Sequence, residues 1–228
     1  MKPKVCVPVR AKRSLDLIPM IREAEESGAD LIEVRLDYLD DIEGIERVVE
    51  EASIPLIATN RLHTQGGFKP QDEEERVKTL IKAAEAGFDY VDIEFCVDGI
   101  EGITSKLKSL GVKPIVSFHD FNKTPSLGEM ESLVRSEVSA GAEVCKLVTT
   151  ARTFSDNLSC LLLVSKLGCE VNLVCFAMGR YGVISRVLSP IFGGYFTYAS
   201  LREGLETAPG QIAISTLKEI YRRLGVED

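Results

Sequence analysis

The sequence predicts an α/β protein folded as a single (β/α)8 TIM barrel that spans residues 1–228. Short apolar runs of strand length alternate with segments of helical periodicity along the chain, which is typical of a parallel sheet covered by helices. Eight such units follow one another, each near the size of a βαβ element, and this number favours a closed barrel. An open doubly wound sheet is the alternative, but no GxGxxG motif follows the first strand.

The predicted strands are apolar, β-branched runs bounded by glycine, proline or charged residues. In chain order they cover residues 4–9, 29–36, 55–59, 89–94, 114–118, 141–149, 170–176 and 194–197. The eighth has the weakest β-propensity of the set.

The intervening helices are predicted from apolar residues that recur on one face at i, i+3, i+4 and i+7. In the first helix, Asp16 is the predicted N-cap, and Pro19 falls in the first turn, where a missing N–H is harmless. Gly225 is predicted to cap the last helix. The apolar residues that mark the sixth helix are Phe154, Leu158, Leu161 and Leu162.

Composition and charge restrict the class of protein. Hydrophobic residues make up 45% of the chain, which is ample for a core. The net charge of −8 and the scattered basic residues argue against a nucleic-acid partner. No apolar run reaches transmembrane length and no signal peptide is evident, so we expect a cytoplasmic protein without a membrane partner.

Cysteine and histidine usage argues against a metal site. The six cysteines include no CxxC pair, and the chain has only two histidines, His63 and His119. Several cysteines lie in apolar runs, where the thiol behaves as a small hydrophobic group. We therefore expect reduced core thiols and no metal.

A lysine in the sixth predicted strand is the first candidate for chemistry. Lys146 lies in the middle of the apolar run at residues 141–149. A desolvated ammonium is costly, and a buried lysine that loses its proton becomes a nucleophile. The alternative is an edge strand from which Lys146 points into water.

Three predicted strands open with a similar sequence. Gly28-Ala-Asp, Gly87-Phe-Asp and Gly141-Ala-Glu each follow a helix, and counting five residues from each glycine gives Glu33, Asp92 and Lys146. If the three strands start in the same way, these side chains lie at one height in the sheet.

Polar residues gather late in the strands, at the end where TIM barrels place their active sites. They are Glu33, Arg35, Arg61, Asp92, Glu94, His119, Lys146 and Arg186. Each has a structural explanation when taken singly, such as a Glu33–Arg35 ion pair. Together they provide an amine nucleophile, a proton carrier and arginines that bind carboxylates. Gly193 and Gly194 could instead form a phosphate cradle.

The ordered motifs resemble the type I 3-dehydroquinate dehydratase family. They are Glu33-Val-Arg35-Leu-Asp37, Thr59-Asn-Arg61, Phe118-His119-Asp-Phe121, Cys145-Lys146-Leu, Met178-Gly-Arg-Tyr-Gly-Val-Ile-Ser-Arg186 and Ala208-Pro-Gly-Gln211. The resemblance extends from about residue 4 to residue 224, and the GVISR and APGQ motifs are its most specific part.

The resemblance implies a lyase of the shikimate pathway, on the route to chorismate and the aromatic amino acids. Lys146 matches the lysine that forms a Schiff base with 3-dehydroquinate, and His119 matches the general acid and base of a syn elimination to 3-dehydroshikimate. The substrate-binding residues implied are Glu33, Arg35, Arg61, Arg186, Thr207 and Gln211. Met178 and Tyr198 match apolar walls of the pocket. No cofactor and no metal are implied, and the partner expected is a second copy in a homodimer.

Three positions depart from the family pattern. Gln65 replaces a glutamate that many relatives carry, and a glutamine can hydrogen-bond but cannot hold the charge that a charge relay requires. Pro8 stands where relatives often have a substrate-contacting serine, and Thr207 replaces a serine but keeps the hydroxyl. The loops at residues 61–70 and 198–211 are the predicted lid.

Two other functions compete with this one. A Schiff-base aldolase would also use Lys146, but it would bind phosphate through backbone amides in place of Arg186 and Gln211. In a non-catalytic barrel, Lys146 would be the ion-pair partner of Asp92 or Glu33. For the lyase we expect the pocket arginines to keep the free amine of Lys146 uncharged.

Overall fold

The computed structural model describes residues 2–226, in which eight parallel strands alternate with eight helices. The strands are β1 Val5–Val9, β2 Leu31–Arg35, β3 Leu56–Thr59, β4 Tyr90–Glu94, β5 Lys113–His119, β6 Val144–Thr150, β7 Asn172–Met178 and β8 Thr197–Tyr198. The helices are α1 Ile18–Glu26, α2 Ile45–Glu51, α3 Glu73–Glu85, α4 Ile100–Ser109, α5 Leu127–Ser139, α6 Asp156–Leu167, α7 Val183–Leu188 and α8 Ile214–Leu224. The ends of the predicted span, residues 1, 227 and 228, lie outside the described residues.

The strands form one sheet in the order β7-β6-β5-β4-β3-β2-β1-β8. Every hydrogen-bonded ladder along this order is parallel. The ring closes between β7 and β8 through the Tyr195 amide, which donates to the Leu173 carbonyl at 2.8 Å. The predicted (β/α)8 barrel is therefore confirmed, and this joint is its most weakly bonded one.

The repeated glycines before β2, β4 and β6 make the same turn. Gly28, Gly87 and Gly141 have φ values of 81°, 104° and 90°, a region that favours glycine. The residue after each glycine donates its amide to a carbonyl in the last turn of the preceding helix, as in a Schellman motif. The next amide along bonds to the neighbouring strand. The three strands therefore start in the same way, as the sequence predicted.

The barrel interior has an apolar lower half. Because successive strand residues alternate in direction, every second residue of a strand points inward. The lower inward-facing residues form one buried apolar cluster, which includes Cys6, Leu31, Ile57, Tyr90, Ile115, Val144, Val174 and Phe196. The upper inward positions two residues later are mostly polar, and they form the floor and walls of the site described below.

The start of the first helix differs from the prediction. Residues Ser14–Leu17 form a 3₁₀ turn, and α1 begins at Ile18. Asp16 is therefore not the N-cap of α1; it pairs with Arg13 at 2.7 Å on the surface. Pro19 does fall in the first helical turn, where no amide is needed.

The apolar face predicted for the sixth helix was wrong. Phe154, Leu158 and Leu162 are 62%, 61% and 57% exposed. The face of α6 that packs on the barrel carries Cys160, Leu163, Val164 and Leu167. Leucines occur on both sides of this helix, so periodicity alone did not identify the buried one. The exposed side is an apolar surface, which we name the α6 face and define by Phe154, Leu158 and Leu162.

Two further expectations were wrong in position. β8 covers Thr197–Tyr198, later than the predicted 194–197. Gly193 and Gly194 precede β8 and pack against Gly168 and Ser189, at the end of the barrel opposite the strand C-termini. They therefore cannot form a phosphate cradle at the site.

The cysteines divide into two groups. Cys6, Cys145, Cys160 and Cys175 are buried, and Cys96 and Cys169 are exposed. All six are free thiols. Among residues 2–226, no helix has both the length and the apolar character that crossing a membrane requires.

Candidate active site

A cavity of about 170 Å³ opens at the C-terminal ends of the strands. All eight residues predicted for the site line it, namely Glu33, Arg35, Arg61, His119, Lys146, Arg186, Thr207 and Gln211. The structure therefore brings together side chains from six separate segments of the chain, namely strands, loops and the helix α7. Phe121, Phe176, Met178 and Tyr198 supply its apolar and aromatic walls.

At the base of the cavity lies a layer of four side chains, one from each even-numbered strand, of which all but Asp92 line the cavity itself. Glu33, Asp92, Lys146 and Tyr198 come from β2, β4, β6 and β8. Layers of four contributed by alternate strands are the ordinary packing of a (β/α)8 barrel. Here the layer is polar, so packing geometry delivers the four groups to one place. We name this set the even-strand layer.

Lys146 is the centre of the even-strand layer. Its Nζ lies 2.7 Å from Asp92 Oδ2, 2.9 Å from Tyr198 Oη and 3.5 Å from Glu33 Oε1. Lys146 is 4% exposed and β6 is hydrogen-bonded to β5 and β7, so the edge-strand alternative is excluded. Tyr198 in turn donates to Glu33 Oε1 at 3.0 Å, and Thr59 donates to the same oxygen at 3.0 Å.

These contacts differ from the expected electrostatics of Lys146. We expected arginines to keep its amine uncharged, but the nearest charged groups are the two carboxylates. Arg61 and Arg35, the arginines closest to this layer, are themselves paired with carboxylates. The ion pair with Asp92 is the one that the non-catalytic alternative predicted, so this contact alone does not distinguish the two functions.

Arg61 links the layer to β5 and to the end of β4. Its guanidinium lies 2.8 Å from Asp92 Oδ1 and 2.9 Å from Glu94 Oε1, and it donates to Ser117 Oγ at 2.8 Å. Burial opposes the charge of Asp92, but Arg61 and Lys146 outweigh it and hold the pKa of this carboxyl well below its usual range. Asp92 is therefore a fixed anion.

Arg35 fastens the loop after β3. It donates to both oxygens of Asp37, at 2.9 and 2.8 Å, and to the Gly66 carbonyl at 3.3 Å. Asp37 also accepts the Phe68 amide at 2.9 Å. Gly66 has a φ of 86°, a conformation that favours glycine, and a side chain there would press on Phe121. The predicted lid segment at 61–70 is thus held over the pocket by a buried ion pair.

His119 lies half-buried at the end of β5. Its Nδ1 is 3.2 Å from Gln65 Oε1, and the Gln65 amide donates to Cys96 Sγ at 3.2 Å. Burial, reinforced by Arg61 and Lys146, lowers the pKa of His119 well below 6.5. The imidazole is therefore neutral near pH 7, and with Nδ1–H directed at Gln65 its Nε2 can accept a proton.

Arg186, on α7, is a buried cation without a carboxylate. Its guanidinium lies 4.3 Å from the centre of the Phe176 ring, and Nη2 donates to the Pro209 carbonyl at 3.3 Å. Within residues 2–226, no acceptor is bonded to Nε and no acidic side chain pairs with this arginine. Burial lowers the pKa of Arg186, so an anion entering the cavity would stabilise its charge.

Thr207 and Gln211 come from the loop before α8. The Thr207 amide donates to Gln211 Oε1 at 2.8 Å, and Gln211 Nε2 donates to the Thr207 hydroxyl at 3.2 Å. Pro209 lies between them and accepts bonds from both Arg186 and the Gly179 amide. This loop is therefore fastened to the segment after β7, and it places a hydroxyl and an amide beside Arg186.

Several contributors were missed from the sequence. Ser117 donates to Asp92 at 2.7 Å, Arg76 lies 2.7 Å from Glu94, and the hydroxyl of Tyr198 contacts Lys146. Tyr198 was expected as an apolar wall. Ser117 lies two residues before His119 on β5, so period-two alternation could have identified it as inward-facing. Tyr198 lies five residues after Gly193, which also has a positive φ of 108°, but Gly193-Gly-Tyr lacks the acidic third residue of the other three turns, so the motif did not include it.

Comparison with known proteins identifies relatives over the full barrel. A family model described as type I 3-dehydroquinase matches residues 5–228. The 3-dehydroquinate dehydratase of Dehalococcoides mccartyi is 36% identical over 216 residues, covering 93% of this chain and 96% of that protein. The structure of 3-dehydroquinate dehydratase from Geobacillus kaustophilus matches with a TM-score of 0.89 and 26% identity, covering 99% of this chain and 92% of that one. The type I enzyme of Clostridium difficile, solved with covalently modified comenic acid, has a TM-score of 0.86 and 29% identity, covering 98% and 92% of the two chains.

Proposed function

The chain belongs to the type I 3-dehydroquinase family, and we propose that it dehydrates 3-dehydroquinate through a Schiff base on Lys146, with His119 as general acid and base. The family membership itself establishes a hydro-lyase of the shikimate pathway. The observation that carries the mechanism is that the Lys146 amine and the unpaired Arg186 guanidinium face one cavity. We further propose that residues 1–228 act as one catalytic domain.

The amine supplies an electron sink. Lys146 condenses with the C3 ketone and releases water, which leaves an iminium carbon next to C2. An iminium withdraws electrons far more strongly than a ketone, so the C2 proton becomes acidic enough for an imidazole to remove. The pair of electrons from the C2–H bond then moves toward the iminium nitrogen.

The imidazole moves the protons. His119 takes the C2 proton on Nε2, because Nδ1 is directed at Gln65. It then returns a proton to the C1 hydroxyl, which leaves as water when the C1–C2 double bond forms. A depressed pKa suits both steps, since the free imidazole is neutral at the start and strongly acidic once it is protonated.

The substrate carboxylate occupies the place beside Arg186. A guanidinium binds a carboxylate through paired N–H donors, and this one has an unused Nε in a buried setting. Thr207 and Gln211 lie at the same end of the cavity and add hydroxyl and amide donors. The phosphosugar-aldolase alternative required a phosphate cradle of backbone amides, and the glycines predicted for it, Gly193 and Gly194, lie at the opposite end of the barrel.

Glu33, Arg35 and Arg61 form the side of the cavity that meets the ring hydroxyls. Both arginines are held by carboxylates, so their remaining N–H groups are fixed in direction. In Arg35, for example, Nε and Nη2 make the contacts to Asp37 and Gly66. Nη1 has no hydrogen bond within the described part of the chain, so it is available to a ligand. Fixed donors of this kind orient a ligand without reorganising.

Borohydride reduction tests the mechanism. The enzyme is incubated with 3-dehydroquinate, reduced and analysed by peptide mass spectrometry, and the expected product is a stable adduct on Lys146. Lys146→Met should give no adduct and no dehydroshikimate absorbance. If the wild-type enzyme forms dehydroshikimate without a trappable adduct, the Schiff-base mechanism is wrong. If it forms neither, the dehydratase function is wrong as well.

We also propose that the α6 face joins two copies of the chain in a homodimer. Leu158 and Leu162 are exposed one turn apart on α6, Phe154 is exposed in the turn just before this helix, and α6 contains only two charged residues, Asp156 and Lys166. Lys166 is already paired with Glu131 at 2.7 Å. An uncharged stripe on a chain of net charge −8 is the place where two copies can approach without repulsion.

Sedimentation measures this association directly. Leu158→Glu should convert the dimer to a monomer, because the new carboxylate would be buried against its own copy across a two-fold axis. Leu15→Glu is the matched control, since Leu15 is also exposed, at 49%, but lies after β1. A wild-type monomer, or a dimer that survives Leu158→Glu, would contradict this assignment of the surface.

A further inference from the structure

The hydroxyl of Tyr198 bridges the reactive amine and a carboxylate. Tyr198 Oη accepts from Lys146 Nζ at 2.9 Å and donates to Glu33 Oε1 at 3.0 Å. The side chain is buried, and its ring packs edge-on against Phe176 and Phe196, with centroid distances of 6.2 and 5.6 Å. The phenol is therefore held in one orientation between two charged groups.

A lysine that lies between carboxylates must lose a proton before it can attack a ketone. Two carboxylates are available. Asp92 is the nearer, but its other oxygen is bonded to Arg61 at 2.8 Å and to Ser117 at 2.7 Å. A proton placed on Asp92 would disrupt its ion pair with Arg61, which makes Asp92 a poor acceptor.

Glu33 has a different environment. Its Oε1 accepts from the hydroxyl groups of Thr59 and Tyr198, and no arginine in the described chain forms an ion pair with it. Lys146 lies 3.5 Å from this oxygen, beyond direct hydrogen-bonding distance, whereas the path through Tyr198 has two contacts of about normal length. The route from the amine to Glu33 that consists of hydrogen bonds of normal length therefore passes through the phenol.

We propose that Tyr198 is a catalytic proton relay that carries a proton between Lys146 and Glu33 during imine formation. This inference rests on the proposed role of Lys146 as the Schiff-base nucleophile. One N–H proton of the ammonium moves to Tyr198 Oη while the phenolic proton moves to Glu33 Oε1. The result is a neutral amine, a neutral carboxylic acid and an unchanged tyrosine.

The same proton completes the step. The amine lone pair forms the N–C3 bond while the carbonyl π electrons move to oxygen, and one N–H proton moves to that oxygen to give the carbinolamine. Glu33 then protonates the carbinolamine hydroxyl, the C3–O bond breaks, and water leaves as the nitrogen lone pair forms the iminium. Glu33 ends as a carboxylate, and the positive charge that began on Lys146 ends on the iminium.

The surroundings of Tyr198 suit a relay better than a base. Burial, with Glu33 beside it, raises the pKa of the phenol well above 10, so the hydroxyl stays protonated between transfers. A group that keeps its proton at rest can still pass one on when a second proton arrives. This explains why the inward residue of β8 carries a hydroxyl at a height where an aromatic ring alone would fill the space.

Tyr198→Phe is the direct test, because it removes the hydroxyl and keeps the ring. Single-turnover mixing with 3-dehydroquinate, followed by quenching in borohydride, measures the rate at which the Lys146 adduct appears. We expect this rate to fall about 10²-fold. In mixtures of H2O and D2O, the rate of adduct formation is measured against the deuterium fraction. The wild-type dependence should be that expected for two protons moving in one step, and the Tyr198→Phe dependence that expected for one.

Two further variants complete the design. Tyr195→Phe is the matched control, since its hydroxyl contacts Tyr90 at 3.1 Å in the lower barrel, and its adduct should form at the wild-type rate. Glu33→Gln keeps hydrogen-bonding capacity but cannot take the proton. Its rate of adduct formation should therefore fall as far as that of Tyr198→Phe. If Tyr198→Phe fails to fold, Glu33→Gln alone tests the relay. Adduct formation at the wild-type rate in both Tyr198→Phe and Glu33→Gln would overturn the relay and leave the proposed function intact. Absence of any adduct in the wild-type enzyme would overturn the Schiff base itself.

Discussion

The lower and upper halves of the barrel interior are built from the same strands yet differ in chemistry. On β5, Ile115 faces inward at the bottom, Ser117 comes next and His119 lies at the top. The same ascent from apolar to polar occurs in Leu31 and Glu33 on β2, Tyr90 and Asp92 on β4, and Val144 and Lys146 on β6. Two residues along a strand, about 7 Å, separate a core position from a functional one.

The difference shows which half stabilises the fold. Burying apolar side chains in the lower half contributes favourably to folding. Burying ion pairs in the upper half contributes little or is unfavourable, since desolvation offsets the attraction between the charges. The charged half is therefore explained by chemistry, and substitutions in the two halves should affect different measurements.

The largest effect is expected from His119→Ala, at the top of β5. It should lower kcat about 10³-fold, because proton abstraction and return lose their carrier. The thermal midpoint should change little, since the imidazole is half-buried and, among residues 2–226, its side chain hydrogen-bonds only to Gln65. Borohydride should still trap the Lys146 adduct, since a different side chain forms the imine. Near-normal turnover would show that His119 is structural.

The converse is expected at the bottom of the same strand. Ile115→Ala should lower the free energy of unfolding by about 3 kcal/mol, because a fully buried side chain leaves a cavity. Its kcat at a temperature where the variant is folded should stay within about twofold of wild type. Urea denaturation and steady-state kinetics on one preparation provide both numbers. A large loss of kcat with unchanged stability would contradict the separation of the two halves.

A smaller effect is expected outside the barrel, at a buried carboxyl that no proposed step uses. Glu137 on α5 is fully buried, and neither oxygen has a hydrogen-bond partner by geometry within the residues described. Burial raises its pKa well above 4.5. Folded protein therefore holds this proton more tightly than unfolded protein, so its share of stability is present below the ordinary glutamate pKa and is lost as the pH rises through the raised one.

Glu137→Leu should abolish that loss. The variant should be more stable than wild type at pH 8 by about 2 kcal/mol, and the gain should shrink toward pH 4. Urea denaturation at several pH values measures it. Glu143→Leu, an exposed site nearby, is the control and should show no such pH dependence. A gain that is equal at all pH values would mean that packing, and not the proton, is responsible.

The smallest effect is expected from Gln65→Glu. A carboxylate bonded to Nδ1 should raise the pKa of His119 from its depressed value, so kcat/KM should begin to fall at a higher pH as the solution is acidified. Near pH 7.5 the change should be within about threefold. Gln71→Glu, whose partner is Asn60, is the matched control. If kcat/KM of the variant falls at the same low pH as that of wild type, Gln65 only covers the pocket and does not tune His119.

Sequence reasoning recovered the features that depend on periodicity and on turns. The eight units, the common turn at Gly28, Gly87 and Gly141, and the gathering of polar residues at the strand ends follow from local rules, whereas Thr207 and Gln211 came only from the family resemblance. The predicted start of α1 was wrong because a 3₁₀ turn at Ser14–Leu17 leads into the helix where Asp16 was expected to cap it. These are features that a short stretch of sequence determines or narrowly misses.

Features that depend on the packing of distant segments were not predictable. The sequence offered Asp92 or Glu33 as the ion-pair partner of Lys146, but which carboxylate lies nearer, and that Asp92 also pairs with Arg61, require the barrel's stagger to be known. The exposure of Leu158 depends on which side of α6 meets β7, and both sides of that helix are apolar. The role of the Tyr198 hydroxyl likewise emerges only when β8 is placed between β1 and the joint to β7.

The even-strand layer also determines where the chain tolerates changes in length. Each of Glu33, Asp92 and Lys146 is fixed by its count of five residues from a turn glycine, whatever precedes that glycine. Deleting one residue between the glycine and its partner would rotate that side chain out of the barrel. Insertions in the loops that precede the helices do not change this five-residue spacing. Each of these three side chains of the even-strand layer is therefore positioned by its own short segment, so a graft that copies the three glycine-to-partner segments should reproduce their arrangement in another barrel.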